Sequence, residues 1–440
     1  MKITTLEEAL SYICKLEQII PKMEKRIQEL EKENKGLNAK LLQYENSNTP
    51  PSMQRFRPAN KHANNGKIGR PEGHEGSTRP VPKPDETIEV CVERCPKCRR
   101  ILGEPLYLEK RIIEDIPKPQ PARAVEYVLA HYKCKCGEEI AAKHPNCPSE
   151  GRFGPNIQSE VVLSNVQDRQ PIRKIRNSMQ RRYGIEISPA TVLSFLHRAA
   201  ECLEPEYDEI KENVRIADVV NADETSCPVN GDGWWLWVFL TGNETLFQIS
   251  RRRNKEVIEG ILGGYSHKRL IGSDGYSCYS DFGVRQRCNS HLIRKLKFHA
   301  EGNEKYLHFL EKLRDFYHVL KEKTSANPPP EERRKLYNWA VGWLWRFIAT
   351  TRKYRELEKF SIYAENGMPE WFTFILHPEI EPTNNISERA LREQVVRRKI
   401  FGTLRNEKGI IIYKVLSSVI TTWKQRGYNV QDRLIAALSG

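Results

Sequence analysis

Residues 214–253, VRIADVVNADETSCPVNGDGWWLWVFLTGNETLFQISRRR, decide the fold class. VRIADVVNADET is an apolar, β-branched run that reads as a strand. WWLWVFLTG and ETLFQISRRR read as two more, joined by a Gly-Asn turn. NKEVIEGILGG (254–264) follows as a helix stopped by glycine, HKRLIGSDGY (267–276) as a fourth strand and VRQRCNSH (284–291) as a fifth. Three adjacent strands, a crossover helix and a further strand predict a mixed sheet.

Downstream, residues 292–325 and 331–365 read as mostly helical, separated by ANPPPEE, and NNISERALREQVVRRK (384–399) is helical again. The last long helix, about 407–425, presents Ile412, Leu416, Val419 and Trp423 on one face. Upstream, FGPNIQSEVVLSNVQ, RQPIRKIRNSMQRRYG and SPATVLSFLHRAAECL read as three helices. Ser188 is the expected N-cap of the third, with Pro189 at its first position and Gly184 in the turn before it. This resembles a helix-turn-helix module, although a generic three-helix bundle shares much of the pattern. Residues 169–182 hold six basic residues and no acid. Arg173, Lys174, Arg176, Arg181 and Arg182 are therefore expected to meet nucleic acid, with Thr191, Ser194 and His197 on the recognition helix.

Residues 87–148 are rich in cysteine. CPKC supplies Cys95 and Cys98, and KCKCG supplies Cys134 and Cys136. Four thiolates would close a tetrahedral structural Zn2+ site, which would supply much of the folding energy of a unit this small. Cys91, Cys147, His131 and His144 are nearby substitutes, and two reduced, metal-free pairs are the plain alternative. Between 51 and 85, seven Lys or Arg and three acids sit among Gly, Pro, Asn and Ser, which reads as a solvated basic tether. Near the start, Leu6, Ile13, Ile20, Ile27, Asn34 and Leu41 form one heptad seam and Ala9, Leu16, Met23, Leu30, Leu37 and Tyr44 the other. That is coiled-coil spacing and predicts a homodimer or higher oligomer, with a helix packed on its own chain as the alternative. Pro21 is expected to break or kink this helix, or to open a second one.

The chain has 440 residues and a formal charge of +14, which favours polyanionic partners. The longest uninterrupted apolar run, WWLWVFL, has seven residues, far short of a membrane span. Acidic residues near the N-terminus, in MKITTLEEALSYICKLEQ, argue against a secretory signal. A cytoplasmic protein is expected. The 11 cysteines are too sparse for a disulfide framework.

The chemistry is expected at three acids. Asp223 ends one apolar strand and Asp274 another, and adjacent central strands would bring them together at one edge. A carboxylate at such a place needs a counter-charge. Glu388, on the helix begun by Asn384 or Asn385, would complete the cluster; by pattern alone Glu224, Glu381 and Glu393 compete with it. Three convergent carboxylates repel, and Mg2+ or Mn2+ resolves the repulsion through oxygen coordination. Two such ions can activate water or a 3′ hydroxyl and stabilise the leaving oxygen of a phosphodiester. Arg251, Arg252 and Arg253, then His291, Arg294 and Lys295, then Arg397, Arg398 and Lys399 are placed to neutralise a phosphate backbone. Taken singly each acid has an ordinary explanation: Asp-Gly is a common turn, and Glu388 with Arg392 is a helix i,i+4 pair.

NSNTPPS, GRPEGHEG, CPKC…CKCG, VVNADET, IGSDGY, CNSH…RK and TNNISERALR…RRKIFG occur in one order. In that order they resemble the transposases of the insertion sequence 66 family over nearly the whole chain. The resemblance implies an Asp-Asp-Glu triad of Asp223, Asp274 and Glu388, with His291 in an electrostatic or positioning role. It also implies a DNA transposase that cleaves insertion-sequence ends and transfers their 3′ hydroxyls to double-stranded target DNA. Arg392 would join the DNA-contacting residues. The expected cofactors are Mg2+ or Mn2+ at the acids and structural Zn2+ at the cysteines. The implied setting is a prokaryotic cytoplasm, nucleoid-associated when active, with accessory proteins of the same element as partners. Cys227, Cys288 and Asn289 stand where related sequences often carry tryptophan.

The 114 positions from Asp274 to Glu388 imply a helical insertion. The whole is expected to be a multidomain α+β chain: a coiled-coil helix at 1–47, a basic linker at 48–86, a zinc-ribbon-like unit at 87–148 and a helix-turn-helix-like DNA-binding module at 149–205. A ribonuclease-H-like catalytic domain would then fill 206–440, with the helical insertion at about 300–372. The rival readings are an inactive or domesticated transposase acting as a sequence-specific DNA-binding protein, and a ribonuclease-H-like nuclease without joining activity.

Overall fold

The computed structural model describes residues 17, 19–31, 34, 80–116, 118–148, 151–300 and 306–439. Most of the heptad pattern and of the basic tether lies outside these residues. Helix α1 (residues 19–31) includes Pro21, and its seam residues Ile20, Met23, Ile27 and Leu30 are all exposed. Residues 80–148 contain one two-stranded antiparallel sheet, β1 (His131–Lys133) and β2 (Glu139–Ala141), and isolated bridges at Arg94–Ile101 and His144–Cys147. Leu106, Ile116 and Val128 remain exposed there, so this segment has little apolar core.

Three helices follow: α2 (Pro155–Val166), α3 (Ile172–Tyr183) and α4 (Pro189–Ile216). Val161, Ile175, Met179, Ile185, Ile187, Val192 and Phe195 pack between them. The expected cap is present, with the Thr191 N–H donating to Ser188 Oγ at 3.0 Å, and Gly184 takes the left-handed conformation that ends α3. The domain boundary expected at residue 205 needs correction, because it falls inside α4. That helix carries Leu203, Tyr207, Ile210 and Val214 on into the core beneath the sheet. The burial of this stripe outweighs the cost of Pro205 within the helix.

The sheet consists of β3 (Val219–Ser226), β4 (Trp235–Leu240), β5 (Thr245–Ser250), β6 (Leu270–Ser273) and β7 (Val284–Arg287), in the order β5-β4-β3-β6-β7. The β3–β4 and β4–β5 pairs are antiparallel, and the β3–β6 and β6–β7 pairs are parallel. Helix α5 (Lys255–Leu262) forms the crossover. Alternation along β4 sends Trp237 and Phe239 into one core, with residues of α4 and α5, and Leu236, Val238 and Leu240 into another.

Beyond β7 lie α6 (Asn289–Ala300), α7 (Leu307–Ser325), α8 (Pro330–Thr351), α9 (Glu358–Glu365) and α10 (Thr373–Leu376). They share a separate core that includes Leu292, Leu313, Phe316, Phe347, Phe360 and Trp371. Because Leu292 and Leu296 of α6 and Phe374 and Ile375 of α10 belong to it, the helical layer extends past both ends of the expected 300–372. It is fastened to β7 by Gln286, whose Oε1 accepts from the Phe374 N–H at 2.8 Å and whose Nε2 donates to Trp371 O at 3.2 Å.

The chain returns to the sheet through α11 (Asn385–Phe401) and α12 (Glu407–Gln425), and ends in α13 (Val430–Leu438). Leu391 of α11 and Ile410 and Tyr413 of α12 cover the Val238 face. The expectation that Arg397 meets DNA is corrected here. Its side chain is buried, with Nη1 donating to Ser417 Oγ and Nη2 to Asn165 Oδ1, each at 2.8 Å, and the guanidinium lies over Tyr413. It ties α11 to α12 and α2 instead.

Arg397→Ala leaves the Asn165 and Ser417 groups without this buried donor. It is expected to lower unfolding free energy by about 2–4 kcal/mol. Exposed Arg392→Ala is expected to stay within about 0.5 kcal/mol. Urea unfolding of the two variants checks this.

Candidate active site

Asp223 sits inside β3 rather than at its end, opposite Val238 of β4. The parallel register pairs Val220 with Ile271 and Asn221 with Gly272, and continuing it by two residues places Asp223 beside Asp274. Gly272 is required by that close pairing, because a side chain there would collide with Asn221 Oδ1. Past β6 the chain turns, with the Tyr276 N–H donating to Asp274 Oδ1 at 2.8 Å. Buried Arg285 holds the turn from beneath. Its Nε donates to Ser273 Oγ at 2.9 Å, and its Nη2 donates to the carbonyls of Asp274 and Tyr276. Glu370, from the helical layer, pairs with Arg285 and Arg287 and offsets their charge.

Glu388 lies in the first turn of α11, where the helix dipole favours a carboxylate. Its position is set by buried Asn384. The Asn384 side chain donates through Nδ2 to Ala222 O at 2.8 Å and accepts from Ser387 Oγ at 2.8 Å. The Asn384 N–H donates to Cys288 Sγ at 3.2 Å, and the Cys288 N–H donates to Ser273 O at 2.9 Å. The residues preceding Asp223 and Asp274, and the cap of the helix that carries Glu388, are therefore linked in one hydrogen-bonded chain.

Burial is the main influence raising the Asp223 carboxyl well above the usual carboxylate range, and Asp274, Glu224 and Glu388 add to it. Glu388 faces Arg294 Nη2 at 3.3 Å and His291 Nε2 at 3.8 Å. Burial, with Arg294 beside it, lowers the His291 pKa and favours the neutral ring. Among the described residues, the group of His, Cys, Asp and Glu whose ligand atoms all lie within 4.8 Å of one another is Cys288, His291 and Glu388. The three acids share a neighbourhood but are not that closely gathered. Their all-oxygen donor set suits a hard divalent ion, and the crowding that raises Asp223 is what such an ion would relieve.

The competing glutamates are placed differently. Glu224 is almost fully buried on the opposite face of β3, where it accepts from Arg253 Nε at 2.9 Å, Arg253 Nη2 at 2.6 Å and the Tyr279 hydroxyl. Burial, then Asp274, pushes its pKa up. Arg253, expected at a phosphate backbone, is thus committed to Glu224 and lies over the Trp235 and Tyr276 rings. Glu381 is exposed, and exposed Glu393 pairs with Arg169.

Among the other expected contacts, Arg251, Arg252, Arg392 and Lys399 are exposed, while Arg398 is half-buried. Arg251 lies over Trp234, Arg252 pairs with Glu256, and Lys295 lies over Tyr363. Arg173, Lys174, Arg176, Arg181 and Arg182 are all exposed on α3. A depression of about 490 Å3 beside them is lined by Arg169, Lys174, Asn177 and Arg181. Thr191 Oγ1 is held by Ser188 Oγ at 2.9 Å, Ser194 is exposed, and His197 pairs with Glu201. In the cysteine segment, the Cys95 N–H bonds Arg100 O and the Cys134 N–H bonds Glu138 O, so each pair sits in its own turn. Backbone N–H groups, first those of Cys98 and Cys136 respectively, lower the Cys95 and Cys134 pKa values. The four thiols are not gathered into a single ligand cluster.

Sequence reasoning missed the support around the acids. Arg285 reads as one more strand cation, and Asn384 as a helix cap. The side chain of Asn384 instead spans to the sheet, and no local pattern announces that.

The chain matches the model of a family described as "Transposase IS66 family" over residues 150–411. It is 21% identical over 398 residues to an uncharacterized protein, y4hP, of Sinorhizobium fredii (strain NBRC 101917 / NGR234), covering 78% of this chain and 71% of that protein. A second uncharacterized protein of the same strain, y4qI, is 22% identical over 317 residues, covering 63% of this chain and 58% of that protein.

Two stability predictions follow from this geometry. The unfolded chain releases the Asp223 proton at ordinary acidic pH, whereas the native chain holds it to higher pH. That contribution is full at low pH and is lost as pH rises through the native pKa. Asp223→Asn is therefore expected to raise the melting temperature of the metal-free protein near neutral pH by a few degrees, with the gain fading in acid, as a calorimetric pH series would read. Asn384→Ala orphans Ala222 O and the Ser387 hydroxyl and is expected to cost about 1–3 kcal/mol in denaturant unfolding.

Proposed function

Because the chain belongs to the transposase IS66 family, we propose that it is a DNA transposase that cuts the phosphodiester bonds at insertion-sequence ends and joins the 3′ hydroxyls to target DNA. The observation that supports this reading is the hydrogen-bonded chain Ala222–Asn384–Cys288–Ser273, which links the strand of Asp223, the turn of Asp274 and the helix of Glu388. The strand order supports a ribonuclease-H-like core.

Asp223, Asp274 and Glu388 are the residues that would hold two Mg2+ or Mn2+ ions. When bound, such ions supply a nucleophile at neutral pH and stabilise the leaving oxygen. The protein's own part is positional. Arg285 fixes the backbone that presents Asp274, and Asn384 fixes the start of α11. Neutral His291 and Arg294 orient the Glu388 carboxylate.

The exposed cations of α3, with Arg251, Arg252, Arg392 and Lys399, supply the positive surface for double-stranded DNA. The exposed seam of α1 supports self-association, and the paired cysteine turns support structural Zn2+ as a second metal. No helix among the described residues is long and apolar enough to cross a membrane.

The test is an end-cleavage and strand-transfer assay with Mg2+, using DNA that flanks the gene. Asp223→Asn, Asp274→Asn and Glu388→Gln are each expected to lower both steps at least about a hundredfold while retaining end binding. Wild-type protein that binds ends without cutting them would favour the DNA-binding alternative. Cutting without joining would favour a nuclease.

A further inference from the structure

Cys288 lies between β7 and α6, His291 in the first turn of α6, and Glu388 reaches the pair from α11. Their ligand atoms all lie within 4.8 Å of one another. The Cys288 side chain is buried. His291 is largely covered, and its Nδ1 is buried with no hydrogen-bond partner. One thiol and one imidazole from the β7–α6 junction and one carboxylate from α11 form a donor set of mixed softness. Sulfur and imidazole select zinc-like ions over magnesium. A tetrahedral ion with bonds of about 2.0–2.3 Å needs donors about 3.3–3.8 Å apart, so this group closes with a shift of about an ångström.

The charges also balance. Arg294 is the cation now facing the group, with Nη1 at 3.3 Å from His291 Nε2 and Nη2 at 3.3 Å from Glu388 Oε1. A divalent ion would displace that guanidinium. The Cys288 thiol would release its proton to solvent, and thiolate and carboxylate together would neutralise the ion while His291 donates a lone pair. The fourth position stays open, as in zinc sites with three protein ligands.

We propose that Cys288, His291 and Glu388 form a further metal site, selective for a thiophilic divalent ion such as Zn2+ or Co2+, and that filling it withdraws Glu388 from the acidic triad and inhibits the enzyme. The inhibitory half rests on the transposase reading; the binding half stands without it.

The binding test titrates the metal-free full chain, held in excess Mg2+, with Co2+, and compares it with Cys288→Ser titrated alongside. The expected result is one equivalent more in the wild type, with a matching excess of near-ultraviolet thiolate-to-cobalt absorption of single-thiolate intensity. That absorption is lost in Cys288→Ser, whose hydroxyl keeps an acceptor for the Asn384 N–H. His291→Ala should weaken uptake at least about tenfold. Unchanged uptake in either variant, with a native circular dichroism spectrum, overturns the site, as does a wild-type chain that takes up no added cobalt. In the cleavage assay, Zn2+ should inhibit the wild type and a chelator should restore it, while Cys288→Ser should need at least about tenfold more Zn2+. Equal inhibition of both overturns the inhibitory half. A chain that binds cobalt as expected but never cleaves ends contradicts the transposase reading and leaves the metal site standing.

Discussion

The arrangement of the acids depends on one buried side chain. Asn384 donates to the backbone of β3 at Ala222 while its own N–H is held by Cys288, which in turn grips the end of β6. A helix terminus has unsatisfied N–H groups, and a buried asparagine has donors and an acceptor that must be filled. Here the Asn384 donors are met across elements, while its Oδ1 is filled by Ser387 in the first turn of the helix. The outcome is that Glu388, remote in sequence, begins its helix beside the two aspartates.

This placement conflicts with stability. Asp223 is pushed up by burial and by carboxylate neighbours, and among the described residues no ion pair is found for it; the nearby guanidinium groups are engaged elsewhere. Arg253 serves Glu224, Arg294 serves Glu388, and Arg285 serves backbone carbonyls. The scaffold bears the strain because the sheet is held on three sides by separate cores, one of them the helical layer from α6 to α10. That layer also contributes Glu370 and Tyr363 at the Asp274 turn. Tyr363 stands so near Gly275 that an added Cβ would lie 2.7 Å from its hydroxyl. The insertion is therefore structural support for the site as well as extra surface.

Much of the sheet was legible because its signals are local. Alternation and β-branching marked the strands, a Gly-Asn turn marked the hairpin, and glycine marked the end of α5. The Ser188 cap was equally readable. Misplaced features were those decided by packing. Residue 205 looked like a boundary, yet the apolar stripe beyond it keeps α4 continuous. Arg397, inside a basic run, looked like a DNA contact, yet it is buried between helices.

Taken alone, the sequence determined the strand order along the chain, the helical character of the insertion, and three acids whose neighbouring motifs resemble one transposase family. Side-chain periodicity and short turn motifs encode such things within a few residues. Tertiary structure decided which arginines face solvent, that Glu224 pairs with Arg253, and that a cysteine and a histidine crowd Glu388. Those outcomes depend on hydrogen bonds and burial between residues remote in sequence, where no local pattern carries the information.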